Sequence, residues 1–276
     1  MQVYKNWSSL KDYEWHFNYL YLAASFIVLF AYYICVSFGW YFTILKMKVK
    51  VSFLKILKIR AISELSRYLP GMIWHIAGRA YFAKKIGISS IKTVTSYAIE
   101  LIINIIAGFI IFLIALPFFL GSEQIVKILP FIIVVPLGLI LVHPKILNRV
   151  LNLGLKILKK PKVKLEFKYK DILLLILLYF IFWIVVGFAF WLLINSIYPI
   201  GISKFIIITG AYAISWAIGL LILFVPGGIG VREGVLAALL SLYMPLPIAI
   251  IISLVSRIWS IAMEFMLVGA VLKVKT

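Results

Sequence analysis

The sequence predicts an all-α polytopic membrane protein, on three observations. Of its 276 residues, 64% are hydrophobic and 13% are charged, about half the charged share of a soluble domain. Apolar runs of the roughly 20 residues that a bilayer crossing requires recur along the chain. These runs are continuous rather than alternating, which separates helices from barrel strands. In lipid only those two structures satisfy every backbone amide.

The elements follow in order. The opening stretch MQVYKNWSSLKDYEWHFNYLY carries Asp12 and Glu14 and leads into an apolar run too long for a signal peptide, so no cleavable signal is expected. A first span covers about 17–45. After it come Lys46, Lys48, Lys50, Lys55, Lys58 and Arg60, and 51–68 reads as an amphipathic helix stopped at Pro70-Gly71. A short segment continues to about 82 and closes on Lys84 and Lys85. Spans follow at about 93–119 and 125–142, the latter interrupted by Pro130 and Pro136. The segment 144–170 reads as the longest polar loop, with nine Lys and Arg residues against the single Glu166. A span at 171–197 starts on Asp171, an N-cap or first-turn acid. The apolar run 203–225 stops at Pro226-Gly227-Gly228, a short helix covers 231–243, and a last span covers 248–272.

The net charge of +19 is read as topology, since Lys and Arg collect on cytoplasmic loops. No soluble basic face exists for nucleic acid, and no nucleic-acid partner is expected. With the basic segments 46–60, 84–92 and 145–170 inside, the N-terminus lies outside and the C-terminus inside. Both Pro-Gly segments, about 50–85 and 203–245, must then turn back within the membrane. This gives about five full transmembrane helices plus two re-entrant broken-helix hairpins in one transmembrane domain, 1–276. A first half (17–142), a basic cytoplasmic loop (144–170) and a second half (171–276) make it up. The two halves have opposite orientation, the inverted-repeat arrangement in which broken helices meet near the midplane.

Ionisable residues inside such spans are costly, at about 2.5–3.5 kcal/mol each on insertion scales, and each needs a reason. Glu100 and Asn104 share a helical face four residues apart, which suits either a site or a helix–helix hydrogen bond. Ser253, Arg257, Ser260 and Glu264 form a polar stripe on the last span. Arg257 and Glu264 are too far apart to pair together, so each needs a partner elsewhere: Glu233 or Arg232 on the second hairpin, a wet cavity, or a ligand. In VPGGIGVREG, Gly227, Gly228 and Gly230 permit unusual backbone angles, the following helix offers free N–H groups, and Arg232 adds a cation suited to phosphate. In the first break, RYLPGMIWHIAGRAYFAKK, Glu64 and Arg67 are spaced to pair on a helix, and Arg79 follows Gly78.

Catalytic signals are thin. His16, His75 and His143 are scattered without ligand spacing, and no nucleophile–base–acid set occurs. No metal and no cofactor is expected. The lone Cys35 lies in an apolar run, so no disulfide framework is expected.

Two strings, RYLPG…IWHIAGRAYFAKKIGIS and VPGGIGVREGVLAALL, resemble the family of the lysylphosphatidylglycerol synthase transmembrane region, the flippase-like domain family, from about residue 54 to the C-terminus. The resemblance implies movement of polar lipids between leaflets, without the cytoplasmic aminoacyl-transferase domain that some members carry. On this reading the chain is a multi-pass cell-membrane transporter of an anionic phospholipid or a polyisoprenyl-phosphate-linked lipid. Arg67, Arg79, Arg232 and Arg257 would contact phosphate or balance acids. Glu100, Asn104, Glu233 and Glu264 would complete the pathway, while Pro70, Gly71, Gly78, Pro226, Gly227, Gly228 and Gly230 shape the breaks. Two rivals stand beside it. One is a membrane glycosyltransferase using Asp12 or Glu14; the other is an accessory subunit of a glycan or lipid synthase. A second copy of the chain or a synthase are the protein partners expected.

Overall fold

A computed structural model describes residues 17–68, 74–119, 142–157, 159–163, 166–221 and 228–273, together with 138 and 140. Its helices are α1 (Tyr19–Lys46), α2 (Phe53–Leu65), α3 (Trp74–Lys85), α4 (Ser90–Phe119), α5 (Pro144–Ile157), α6 (Tyr169–Asn195), α7 (Phe205–Leu221), α8 (Val231–Leu240) and α9 (Leu246–Leu272). Short 3-10 turns cover Ser66–Tyr68 and Ile202–Lys204. No strand occurs among the described residues.

Five helical segments are long and apolar enough to cross a membrane: α1, α4, α6, α9 and Ile202–Leu220. The chain is therefore a multi-pass α-helical membrane protein. Four of the five are the expected spans. The fifth is the apolar run read as one leg of a hairpin, and at 19 residues it extends about 28 Å, close to the bilayer's hydrocarbon thickness. The span expected at 125–142 lies outside the described residues apart from Gly138, Ile140 and Val142. The expected breaks at Pro70, Gly71, Pro226 and Gly227 also lie outside them, as do Asp12 and Glu14.

One expectation is corrected. The segment 144–170 is not simply a loop, because it opens with the 14-residue helix α5. Leu147, Leu151 and Leu155 recur every fourth position and turn inward, Leu147 and Leu151 onto the core cluster and Leu155 buried, but the dense cations between them obscured that period.

The helix ends follow from their sequence. The Asn18 side chain accepts from the backbone N–H groups of Leu20 and Tyr21 at 3.1 and 3.2 Å, starting α1. Asp171, in the first turn of α6, accepts from the Lys168 N–H at 3.0 Å.

The helices pack as two corresponding sets, α1–α4 and α6–α9. The packing maps onto itself when the sets are exchanged. Thus α4 lies on α7 as α9 lies on α2, α6 lies on α7 as α1 on α2, and each set closes its own hairpin, α2 with α3 and α7 with α8. At the centre α1 lies along α6. These two run antiparallel, as both ends show: the Asn18 N–H donates to the Ser196 carbonyl at 2.9 Å, and 28 residues later Lys46 pairs with Asp171 at 2.8 Å. The C-terminal end of α4 meets the residues just before α9, where the Tyr243 hydroxyl donates to the Phe118 carbonyl at 2.6 Å. The two sets thus share one pattern of helix contacts, with the corresponding helices α1 and α6 antiparallel.

Large apolar side chains fill the centre, among them Leu29, Val36, Ile103, Tyr179, Trp183 and Phe190. Small residues let the helices approach. A Cβ at Gly39 would lie 2.8 Å from the Tyr179 ring, and one at Gly108 would lie 3.0 Å from the Trp183 indole.

Candidate functional site

The charged residues of both hairpins converge on the boundary between the halves. In α2, Arg60, Glu64 and Arg67 recur at spacings of four and three, which places them on one side of the helix and its 3-10 extension. Arg79 comes from α3, Glu100 and Asn104 from α4, Arg232 and Glu233 from α8, and Arg257 and Glu264 from α9.

Arg79 is the most enclosed of them, 1% exposed. It donates to Glu100 Oε2 at 2.8 Å and to Glu64 Oε1. Its guanidinium lies 4.7 Å from the Trp40 ring centre and 4.9 Å from that of Tyr97. Arg60 donates to the other Glu100 oxygen. Glu64 also pairs with Arg67, as the sequence spacing suggested. Arg67 Nη1 reaches across to Glu264 at 3.6 Å. Glu264 belongs to the other half and accepts from the Tyr33 and Tyr68 hydroxyls, each at 2.9 Å. Each of these carboxylates is therefore compensated by arginine or hydroxyl groups, as burial of charge requires.

The second half is less tightly closed. Glu233 Oε2 accepts from the Gly230 N–H at 2.7 Å, a cap at the start of α8. Its Oε1 faces Arg257 Nη1 at 4.0 Å, beyond a hydrogen bond, and has no hydrogen-bond partner among the described residues. Arg257 Nη2 is buried and also unbonded among the described residues. Arg232 lies 4.9 Å from the Tyr212 ring centre, and among the described residues no acid lies within salt-bridge distance of it. Gly228 and Gly230 shape this turn with φ of +67° and +84°. A Cβ at Gly228 would also lie 2.6 Å from the Gly219 carbonyl oxygen.

Two adjoining cavities of about 100 Å³ each occupy the boundary, room for about three waters apiece. Arg67, Trp216, Arg232 and Arg257 line both. One adds Tyr33, Glu64, Tyr68, Asn104 and Glu264. The other adds His75, Tyr97 and Gly219, with no carboxylate among its described lining residues. His75 Nε2 is 2.7 Å from the Tyr97 hydroxyl, and its Nδ1 is buried without a hydrogen-bond partner among the described residues. The second cavity is thus a small cationic chamber.

Residues 2–267 match the model of the family described as the lysylphosphatidylglycerol synthase TM region. The chain belongs to that family. The match takes in the first span as well as the region from about residue 54 that carries the resemblance. No curated protein and no solved structure matches the chain. Membership of the lysylphosphatidylglycerol synthase TM region family ties this multi-pass membrane protein to lipid handling.

Within this family member the structure sorts the residues that the sequence singled out. Arg67, Asn104, Arg232, Arg257 and Glu264 line the cavities. Arg79 and Glu100 line neither; they bind each other at the base of the first hairpin. Glu233 caps α8 and faces Arg257, one of the partners anticipated for it. Glu264 instead turns to the first half. Gly78 packs α3 on the preceding turn, where a Cβ would lie 3.3 Å from Ser66 Oγ. Sequence reasoning missed Arg60, which read as part of a basic topological segment, and the tyrosines Tyr33, Tyr68 and Tyr212. The signal for Arg60 was its helical spacing to Glu64 and Arg67. The tyrosines had no local signal, because their role depends on contacts up to 231 residues away. No group of three potential metal-ligating His, Cys, Asp or Glu side chains occurs among the described residues.

Proposed function

We propose that this protein moves a polar lipid with an anionic, phosphate-bearing headgroup between the leaflets of the cell membrane. One observation carries the reading: Arg67, Arg232 and Arg257 line a chamber with no described carboxylate, and among the described residues Arg257 Nη2 is buried without a hydrogen bond. Counting Arg60, Arg67, Arg79, Arg232 and Arg257 against Glu64, Glu100, Glu233 and Glu264 leaves one positive charge over (5 − 4 = 1). In a low-dielectric interior an uncompensated arginine is costly, and an anionic ligand would relieve it. Guanidinium groups suit phosphate, which they can bind through two parallel hydrogen bonds.

The headgroup would enter between the halves while the acyl or isoprenyl tails stay in lipid. Both hairpins supply arginines to one chamber, so rocking one half against the other would expose it to alternate leaflets. In this proposal both hairpins are re-entrant, the N-terminus is outside and the loop 144–170 is inside. Glu264, held between Arg67 and two tyrosines, is the site for a coupling proton or a cationic part of the headgroup.

The test is reconstitution in liposomes, following leaflet exchange of labelled anionic phospholipids and polyisoprenyl-phosphate sugars. Exchange of at least one class is expected, with loss in Arg232→Ala and Glu264→Ala. Folded wild-type protein that exchanges neither class would overturn the proposal. Activity lost in Asp12→Ala or Glu14→Ala would favour a glycosyltransferase instead. Arg257→Ala and Glu264→Ala variants that still sustain a cellular synthase pathway would favour an accessory role.

A further inference from the structure

We infer that α5 is an interfacial anchor that lies flat in the leaflet at one end of the bundle and binds anionic lipid there. The inference concerns a surface apart from the central chamber. It rests on three observations: position, a divided helix face, and charge.

The position is fixed by chain connections. The segment after α5 leads into α6, whose first turn carries Asp171, paired with Lys46 at the C-terminal end of α1. Glu166 in that segment pairs with Lys48, just past the same end of α1. Asn152 of α5 donates to the Val163 carbonyl and accepts from the Val163 N–H, each at 2.8 Å, and Leu147 joins the same core cluster as Met47, Phe167 and Ile172, so α5 lies at this end of the two spans.

The helix has three longitudinal faces. Leu147 and Leu155 are buried against the core. Lys145, Arg149 and Lys156 form an exposed polar face. Between these faces, Val150, Leu153 and Ile157 are 53%, 59% and 75% exposed. Their spacings of three and four put them in one row. An apolar row left bare beside a cationic row is the geometry of a helix seated at the level of lipid headgroups, with apolar side chains down among the acyl chains and cations level with phosphates.

The charge selects the occupant. Residues 144–170 hold nine Lys and Arg against one Glu, and an open groove runs between Lys145, Arg149, Lys156 and Lys162. A second copy of the chain would bring the same cations to the same face and be repelled. An anionic leaflet complements both rows at once.

The test uses the full chain in a Cys35→Ser background, with a nitroxide at Leu153→Cys or Lys156→Cys. Protein is reconstituted in vesicles with or without anionic phospholipid, and collision with oxygen or with a water-soluble nickel chelate is compared. In anionic vesicles the Leu153 probe should meet oxygen and the Lys156 probe the chelate. Replacing Lys145, Arg149 and Lys156 with Gln should lower the ratio of inserted to detached helix roughly fivefold per cation removed, with the thermal midpoint of the protein unchanged. A Leu153 probe that meets the chelate in anionic vesicles would overturn the inference and assign the face to water or a protein partner. Equal insertion in both vesicle types, unaffected by the Gln substitutions, would also overturn the anionic-lipid assignment.

Discussion

Arg79 and Glu100 join the short helix of the first hairpin to the span that follows it, at 2.8 Å. In the second half Glu233 and Arg257 occupy the corresponding elements, α8 and α9, with the signs reversed and a separation of 4.0 Å. The repeat thus keeps a hairpin-to-span pairing in both halves. It is closed in the first half and open in the second.

That difference predicts different outcomes in the two halves. Arg79 and Glu100 are both buried and line neither central chamber, so removing one leaves the buried cluster of Arg60, Glu64, Arg67, Arg79, Glu100 and Glu264 with an unbalanced charge. Arg79→Gln or Glu100→Gln should destabilise the protein by about 3–5 kcal/mol. The double variant should cost less than the sum, with a coupling of about 0.5–3 kcal/mol. Denaturant unfolding in detergent micelles measures both. Additive losses would show that the two do not interact.

Arg257→Gln, by contrast, breaks no closed pair. It should alter the unfolding midpoint little and slow lipid exchange. Parallel midpoint and exchange measurements separate the effects. A loss of midpoint as large as that of Arg79→Gln would make Arg257 a structural residue.

Backbone demands in the second hairpin are equally specific. Gly228→Ala meets a positive φ and a carbonyl oxygen 2.6 Å from the added methyl. Gly234→Ala, in mid-helix, meets nothing within 4 Å. The first should destabilise by about 1–3 kcal/mol. The second should be neutral or stabilising by up to about 1 kcal/mol. Thermal midpoints of the two variants decide it.

Orientation is checked by single cysteines in a Cys35→Ser background. Ser203→Cys should react with an impermeant maleimide from outside, and Lys162→Cys only after the membrane is opened. The reverse pattern would invert the topology proposed here.

Much of the fold was legible from hydropathy, because a span must be long, continuous and apolar whatever it packs against. Tyr19–Lys46, Ser90–Phe119, Tyr169–Asn195 and Leu246–Leu272 all fall within three residues of the sequence reading. Asp171 at the start of α6 was legible for the same reason, since helix starts obey local rules. Ile202–Leu220 was harder: its length permits a span or a hairpin leg, and orientation was inferred from loop charges. Helix α5 was hidden because its cations mark topology as well as a polar face. In the site, Glu64–Arg67 could be read from spacing alone. The contact between Arg67 and Glu264 could not, because it joins residues 197 positions apart (264 − 67 = 197) through the meeting of the two halves.

The most direct measurement compares exchange of anionic and zwitterionic lipids by wild-type protein and Arg232→Gln in the same liposomes. Arg232 has no acid in salt-bridge distance among the described residues, so the substitution should leave the thermal midpoint unchanged. Loss of one charged contact of about 1.5–3 kcal/mol should slow anionic exchange roughly ten- to hundredfold and affect zwitterionic exchange less. Equal rates for both lipids, or an Arg232→Gln variant that exchanges anionic lipid as fast as wild type, would contradict an arginine-lined anion pathway.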